Sequence, residues 1–136
     1  MAYAANRIPE ICDELYRIDQ GMRAGFGWKH GPFEIWDAIG LDKGIELIEA
    51  EGLHLAEWVK DLKATGGKGF YKVENAQAHF YSLPDKAYQA LPGGKSFIVL
   101  DHIRPTKTIW QNSDCAVVDL GDGILNIEFR YKMNAL

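Results

Sequence analysis

Four histidines are the side chains of this sequence best suited to proton transfer: His30, His54, His79 and His102. An imidazole can act as acid or base near neutral pH when a suitable partner orients it. Only His30 stands next to a distinctive segment, Gly31-Pro32-Phe33, and the others lie in a turn, a strand and a connector. A loop residue beside a helix N-terminus is the favoured interpretation of His30, so we predict no catalytic residue.

The remaining reactive groups do not converge in the sequence. Cys12 and Cys115 are the only cysteines, and neither belongs to a CxxC pair nor has a neighbouring histidine. A zinc site needs converging ligands, so we predict no metal and interpret both as reduced thiols. Asp13-Glu14 and Asp42 with Glu46 are paired acids in the sequence, but helical periodicity places them on solvated faces.

Two glycine-rich stretches, GWKHG and GGKGF, invite comparison with nucleotide-binding loops. Neither follows an apolar strand or opens a helix with the G-x-G-x-x-G spacing that cradles a dinucleotide phosphate. We interpret them as caps and turns, so no cofactor-binding residue is predicted in this chain.

Composition narrows the class of protein. Hydrophobic residues make up 47% and charged residues 25% of the 136 positions, which is typical of one globular domain. The net charge is −4 and the basic residues are scattered, which argues against nucleic-acid binding. No apolar run is long enough for a membrane span and no signal peptide is recognisable, so we expect a cytoplasmic protein that binds no membrane.

The first 64 residues have helical periodicity. Pro9 predicts a helix from Ile8 to Tyr16, and Asp19 is predicted to cap a short segment that follows. Gly31-Pro32 predicts the start of another helix, which Gly40 ends. Two further amphipathic stretches follow, each ending at glycine. The short helices and tight connections predict a compact bundle.

The second half of the sequence has patterns that mainly predict β-strands. Alternating residues predict strands at Phe70–Glu74, Ala78–Ser82 and Ala87–Ala90, a small β-meander that must pack on the helices or on another domain. Residues 97–103 could be a short helix or a strand, which Pro105 should break. Gly121-Asp122-Gly123 predicts the turn of a terminal β-hairpin.

One long motif resembles a known family. IDQGMRAGFGWKHGPFEIWDAIG contains Asp19, Met22, Gly25-Phe26-Gly27, Gly31-Pro32-Phe33 and Asp37 to Gly40. This pattern resembles the C-terminal helical domain of 3-hydroxyacyl-CoA dehydrogenases. The resemblance implies a mainly α fold, similar to the C-terminal domain of 6-phosphogluconate dehydrogenase, followed by the meander and the hairpin.

The tail resembles a second family. GDGILNIEFRYKMNAL is similar to the first hairpin of enoyl-CoA hydratases, or crotonases, which place K-M-N-A-L or a close variant after their second strand. The two resemblances together imply a fragment of a fused dehydrogenase and hydratase. Residues 1–64 would be the second copy of the helical domain, 65–112 a β-meander and connector, and 113–136 the incomplete start of the hydratase domain.

That architecture implies a non-catalytic central domain of a bifunctional fatty-acid β-oxidation enzyme, with NAD used by the parent enzyme only. Its partners would be the Rossmann domain, the first helical copy and the crotonase domain of the same polypeptide, and the isolated fragment should form a homo-oligomer.

The interface candidates are Trp28, Phe33, Ile35 and Trp36, although Phe33 and Trp36 could equally fill the domain's own core. The backbone N–H of Lys132 is the oxyanion-hole candidate of the parent. The alternative is a free-standing helical binding or dimerisation module.

Overall fold

The chain divides into two units, and a computed structural model describes residues 1–93 and 98–131 of them. The first unit comprises Met1–Glu74 and Ala78–Leu91, and the second comprises Asn75–Gln77 and the residues from Pro92 onward. Each unit has its own elements and is described by itself.

Five short helices build most of the first unit. They are α1 (Ala2–Asn6), α2 (Leu15–Phe26), α3 (Pro32–Ile39), α4 (Leu41–Ala50) and α5 (Glu57–Ala64). The prediction for α3 is confirmed at both ends. Pro32, whose missing N–H costs nothing at a first turn, opens the helix, and Gly40 separates it from α4. Gly40 has φ +99°, a conformation that favours glycine.

The helix predicted from Ile8 to Tyr16 is wrong. The chain turns at Pro9 instead, and a single helix, α2, begins at Leu15. Asp19 therefore lies inside α2 and does not cap a separate segment. Because residues 7–14 are not helical, Ile11 is not brought onto the core-facing side with Ile8 and remains mostly exposed.

An aromatic cluster at the centre of the first unit joins the helices to the following strands. The ring centroid of Phe70 lies 5.1 Å from that of Phe33, 5.0 Å from Trp36 and 5.6 Å from Trp58. The two indoles also satisfy their N–H groups, Trp36 by donating to the carbonyl of Leu41 at 3.2 Å and Trp58 by donating to that of Ala5 at 3.0 Å. The predicted meander thus packs on the helices through Phe70, its first residue in the sequence prediction.

The meander consists of β1 (Tyr71–Glu74), β2 (Gln77–Ser82) and β3 (Ala87–Ala90), in that spatial order. These bounds agree with the predicted strands to within one residue. The strands β2 and β3 are antiparallel, and Phe80 of β2 turns inward against Tyr16, with 4.7 Å between ring centroids.

The second unit contains α6 (Leu100–Lys107), β4 (Thr108–Gln111), β5 (Cys115–Gly121) and β6 (Ile124–Phe129). Strands β5 and β6 form the predicted hairpin, and β4, which was not predicted, pairs antiparallel with β5. The described residues therefore form six short helices and two antiparallel three-stranded sheets, which confirms the predicted fold class. None of these helices is long and apolar enough to cross a membrane.

Pro105 does not break the segment that contains it, contrary to the sequence prediction. It lies inside α6, and the helix ends two residues later. Two hydroxyl groups donate to carbonyls near the end of the helix: Thr108 to that of Arg104 at 2.8 Å and Thr106 to that of Ile103 at 3.3 Å. Arg104 also binds Glu128 of β6, which fixes α6 against the sheet.

Candidate functional site

The first unit carries an open apolar groove with a volume of about 740 Å³. Its walls come from α1, from the turn that follows it, from α2 and from the start of α3. The lining is largely aliphatic and aromatic, with two arginines, Arg7 and Arg17, at its margin. A concave apolar surface of this size is a candidate binding site for a protein element or another apolar partner.

The large side chains of the groove are exposed. Tyr3, Ile11 and Phe26 are each more than 60% exposed, and Trp28 is 47% exposed. Gly27 explains why two aromatics stand side by side here, since its φ of +66° ends α2 in a left-handed cap and turns the chain between Phe26 and Trp28. The turn therefore presents both rings at the mouth of the groove.

Charges of both signs surround this apolar surface. Arg7 pairs with Glu10 at 2.6 Å, and Arg17 pairs with Glu14. Arg23 of α2 binds Glu34 of α3, and the Glu34 carboxylate also accepts the N–H of Gly31 at 2.8 Å. These pairs hold α2 and α3 together without giving the rim a single sign of charge.

A buried carboxylate fixes the start of α3, which forms one wall of the groove. Asp19 of α2 is fully buried, and its two oxygens accept the backbone N–H groups of Phe33 at 3.0 Å and Glu34 at 3.2 Å. These are unpaired donors of the first helical turn, where a negative charge also meets the positive end of the helix dipole. Asp19 thus caps α3 from a neighbouring helix.

A second carboxylate, near the end of α3, fixes the start of the meander. The oxygens of Asp37 accept the N–H groups of Phe70 at 2.7 Å and Tyr71 at 2.8 Å. The hydroxyl of Tyr71 then donates to Asp19 at 2.7 Å. Tyr71 therefore connects the two carboxylates, and α2, α3 and β1 form one hydrogen-bonded network.

Two glycines make room for these carboxylates. A Cβ atom on Gly31 would lie 2.3 Å from Cα of Asp19, and one on Gly69 would lie 2.8 Å from a carboxylate oxygen of Asp37. In both cases the glycine precedes the backbone N–H groups that bind the carboxylate. The Gly-Pro-Phe and Gly-Phe-Tyr segments thus share one arrangement, in which an aspartate carboxylate accepts backbone N–H groups that follow a glycine.

Residues 10–73, which contain both carboxylates and most of the groove, match the family described as 3-hydroxyacyl-CoA dehydrogenase, C-terminal domain. The match covers a little less than half of the chain. Enzymes of the family use NAD, and the matched domain is not the one that binds it. The resemblance seen in the sequence is therefore confirmed at the level of the domain.

Two curated relatives extend the comparison. The chain is 39% identical over its whole length to a probable 3-hydroxyacyl-CoA dehydrogenase of Bacillus subtilis, of which it spans 17%. It is 46% identical over 54 residues to a putative fatty acid oxidation complex trifunctional enzyme of Rickettsia felis, covering 39% of this chain and 8% of the relative. No solved structure matches. The chain thus spans a small part of each relative.

The four interface candidates occupy two different places in the first unit. Trp28 and Ile35 line the groove, whereas Phe33 and Trp36 are fully buried in the aromatic cluster. Their participation in an interface stays a prediction, and for the two buried residues the core packing considered in the sequence accounts for their position. His30 is exposed in the loop before α3. Lys132 lies outside the described residues.

Sequence reasoning missed several groove residues. Tyr3 was not singled out, Met22 and Phe26 were named only as residues of the family motif, and Ile11 fell within the helix predicted from Ile8 to Tyr16. The available signal was the Phe-Gly-Trp sequence at positions 26–28. When a glycine ends a helix between two aromatic residues, the chain turns there, and the two rings are not both directed into one core. Asp19 gave no such signal, since its hydrogen-bond partners follow 14 to 52 residues later.

The Asp37 carboxyl should make stability depend on pH. Burial raises its pKa to about 6, even though two backbone N–H groups favour the charged form. A carboxyl whose pKa is higher in the folded than in the unfolded chain stabilises the fold when protonated. Its contribution is present below about pH 4 and is lost as the pH rises to about 6.

We expect Asp37→Asn to reduce this dependence by about 1 kcal/mol, a figure that allows for the partial exposure of the group. Urea unfolding at a series of pH values between about 4 and 7 measures it. Burial also raises the pKa of Asp19, so some dependence should survive in the variant. Asp13→Asn, at an exposed position, is the control. Identical pH profiles for Asp37→Asn and the unaltered protein would contradict the assignment.

Proposed function

We propose that this chain is the second helical copy within a fused 3-hydroxyacyl-CoA dehydrogenase and enoyl-CoA hydratase of fatty-acid β-oxidation. In this proposal residues 1–64 are that copy, 65–112 are the meander and connector, and 113–136 begin the hydratase domain. The chain's role is architectural: it shapes the acyl-CoA site of the parent enzyme and joins its catalytic domains. The match to a relative of which it spans 17% supports a place within a longer polypeptide.

The observation that carries the proposal is the groove. Tyr3, Ile11, Phe26 and Trp28 together expose roughly 600 Å² of mostly apolar surface, against ~800 Å² per partner in an ordinary stable interface. The occupant we propose is the first helical copy of the same polypeptide, packed as an internal pseudo-dimer. A related domain would present a related surface, and the mixed charges around the groove suit such a near-symmetric pairing.

The parent's chemistry would lie in other domains. Hydride transfer would take place on NAD held by a Rossmann domain, and the imidazole of His30 is exposed rather than held in a pocket. The chain would therefore contribute packing surface to the dehydrogenase and supply no acid, base or hydride acceptor itself.

In the 136-residue chain, where the first copy is absent, a second molecule should occupy the groove. We expect Phe26→Ser with Trp28→Ser to raise the dissociation constant of this self-association at least tenfold, since aromatic residues dominate interface energies. Sedimentation velocity over a wide concentration range measures it. Leu53→Ser is the matched control, because Leu53 is 56% exposed but does not line the groove. If the double variant associates as tightly as the control, the groove is not the contact.

A further inference from the structure

The backbone donors of the loop between α5 and β1 are paired except at two adjacent residues. The N–H groups of residues 65–67 donate to carbonyls in the last turn of α5 at 2.9–3.0 Å, and those of residues 70 and 71 donate to Asp37. Within the described part of the chain, the N–H groups of Lys68 and Gly69 have no acceptor. Gly69 is buried, and a buried backbone donor is normally paired with protein, water or a ligand. We therefore expect an acceptor from outside the chain at these two residues.

A pocket of about 380 Å³ lies beside this loop, entirely within the first unit. Residues 66–69 line one side, and Asp37, Tyr71, Lys72 and Tyr88 line the remainder. The hydroxyl of Tyr88 donates to the carbonyl of Gly69, which holds the ring against the loop. The volume is near the lower end of the range for small-molecule sites, so the pocket has room for a small organic ligand.

Two lysines bring positive charge to this pocket. Lys68 is exposed, and its ammonium group forms no ion pair with any side chain that the structure describes. The Nζ atom of Lys72 lies 4.8 Å from the ring centroid of Tyr88, a cation–π contact that holds it at the pocket. Lys72 also pairs with the exposed Glu74 at 2.8 Å, which offsets part of its charge. The unpaired charge of Lys68 thus stands beside the two unpaired N–H groups.

Asp37 is the only acid among the residues that line the pocket, and its charge opposes that of the lysines. Both of its oxygens already accept N–H groups of the loop, from Phe70 and Tyr71. Burial raises the pKa of Asp37 to about 6, so the carboxyl is about half protonated at that pH. Its position also shows that this loop accommodates an oxyanion on two consecutive N–H groups, and the two preceding N–H groups are the unpaired ones.

We propose that this pocket binds the phosphate group of a small organic molecule. The donors would be the backbone N–H groups of Lys68 and Gly69 and the ammonium groups of Lys68 and Lys72. Consecutive backbone N–H groups and charged donors are the groups that bind phosphate oxygens most strongly in proteins. A phosphate ion fills only part of the pocket, and the ring of Tyr88 offers an apolar wall to the group attached to it. The site shares no lining residue with the groove and does not depend on the function proposed above.

An amide NMR titration at about pH 6 and constant ionic strength tests the site, with phenyl phosphate, inorganic phosphate and phenol as probes. We expect phenyl phosphate to cause saturable shifts, largest at the amides of Lys68 and Gly69, and to bind at least about threefold more tightly than inorganic phosphate. Phenol should leave these amides unshifted. Equal affinities for the two phosphates would overturn the assignment of an organic ligand. Shifts that do not saturate, or that avoid these two amides, would overturn the site.

Matched substitutions separate this site from general attraction between an anion and surface lysines. Lys68→Gln and Lys72→Gln should each raise the dissociation constant of phenyl phosphate at least about threefold. Lys29→Gln is the control for Lys68, since both are exposed and neither has an ion-pair partner in the described part of the chain. Lys43→Gln is the control for Lys72, because Lys43 also pairs with a nearby glutamate, at 3.2 Å.

Neither control should change the dissociation constant by more than about 1.5-fold. If Lys68→Gln and Lys29→Gln weaken binding equally, the proposal is overturned. The amide spectrum of each variant reports its fold. Should the loss of the contact between Lys72 and Tyr88 disturb the loop, the comparison of Lys68 with Lys29 still decides the question, because Lys68 is exposed and its side chain contributes no ion pair to the described fold.

Discussion

Replacing Asp19 with alanine should lower the free energy of unfolding by about 3 kcal/mol or more. The substitution removes the acceptor of three hydrogen bonds at once and leaves the N–H groups of Phe33 and Glu34 and the hydroxyl of Tyr71 without it. Each buried donor left unpaired costs about 1–3 kcal/mol, and the start of α3 also loses the charge that opposes its dipole. The loss is a large fraction of the stability of a domain of this size.

Urea unfolding measures this loss, with Asp13→Ala as the control. Asp13 lies in the same segment but is exposed, so its replacement should change stability by less than about 0.5 kcal/mol. Tyr71→Phe removes one of the three hydrogen bonds to Asp19 but keeps the aromatic ring, and it should lower the free energy of unfolding by about 1 kcal/mol. This variant therefore measures the contribution of the hydrogen bond apart from that of the packing of the ring. An Asp19→Ala protein as stable as the Asp13→Ala control would show that the buried network does not hold α3.

Local signals in the sequence were sufficient for most elements. Pro32 and Gly40 set the two ends of α3, and turn residues separated the strands of the meander and of the terminal hairpin. These predictions succeeded because the physical cause lies within two or three residues of the boundary, in a missing N–H or a positive φ. The family resemblance rested on the same kind of local pattern.

The failures do not share one cause. The helix predicted at Ile8 assumed that its apolar residues share one face, but Ile11 instead lines the groove. Strand β4 pairs with the edge of β5, and the strand-favouring residues Thr108, Ile109 and Trp110 were passed over as part of a connector. Pro105 stays inside α6 two residues before its end, where the hydroxyl of Thr108 donates to the carbonyl of Arg104.

The structure gives a physical reason for the motif through which the family was recognised. Asp19 and Gly31 belong to one contact, and Asp37 and Gly69 belong to another. In each contact a carboxylate accepts backbone N–H groups just beyond a glycine, so neither residue type can change independently of the other. The spacing of these residues therefore determines how α2, α3 and β1 are joined. Because α3 forms one wall of the groove, it also affects the shape of the groove.

Gly31→Ala tests this coupling and should lower the free energy of unfolding by about 2–3 kcal/mol. The backbone of Gly31 has φ −80°, which alanine adopts without strain, so any loss must come from the added methyl group. That Cβ would lie 2.3 Å from both Cα and a carboxylate oxygen of Asp19. Because Cα belongs to the backbone of α2, a rotation of the Asp19 side chain cannot relieve the contact, and α2 and α3 would have to separate.

Gly25→Ala is the control with the opposite expected sign. A Cβ at Gly25 would meet no atom within 4 Å, and Gly25 lies within α2. Alanine favours the helix over the unfolded chain, so this variant should gain about 0.5–1 kcal/mol. Urea unfolding of both variants checks the pair. If Gly31→Ala also gained stability, the close approach of Gly31 to Asp19 would not constrain the domain. Opposite signs for two chemically identical substitutions would reflect their surroundings: an open position inside α2 at Gly25, and the backbone of Asp19 against the N-cap of α3 at Gly31.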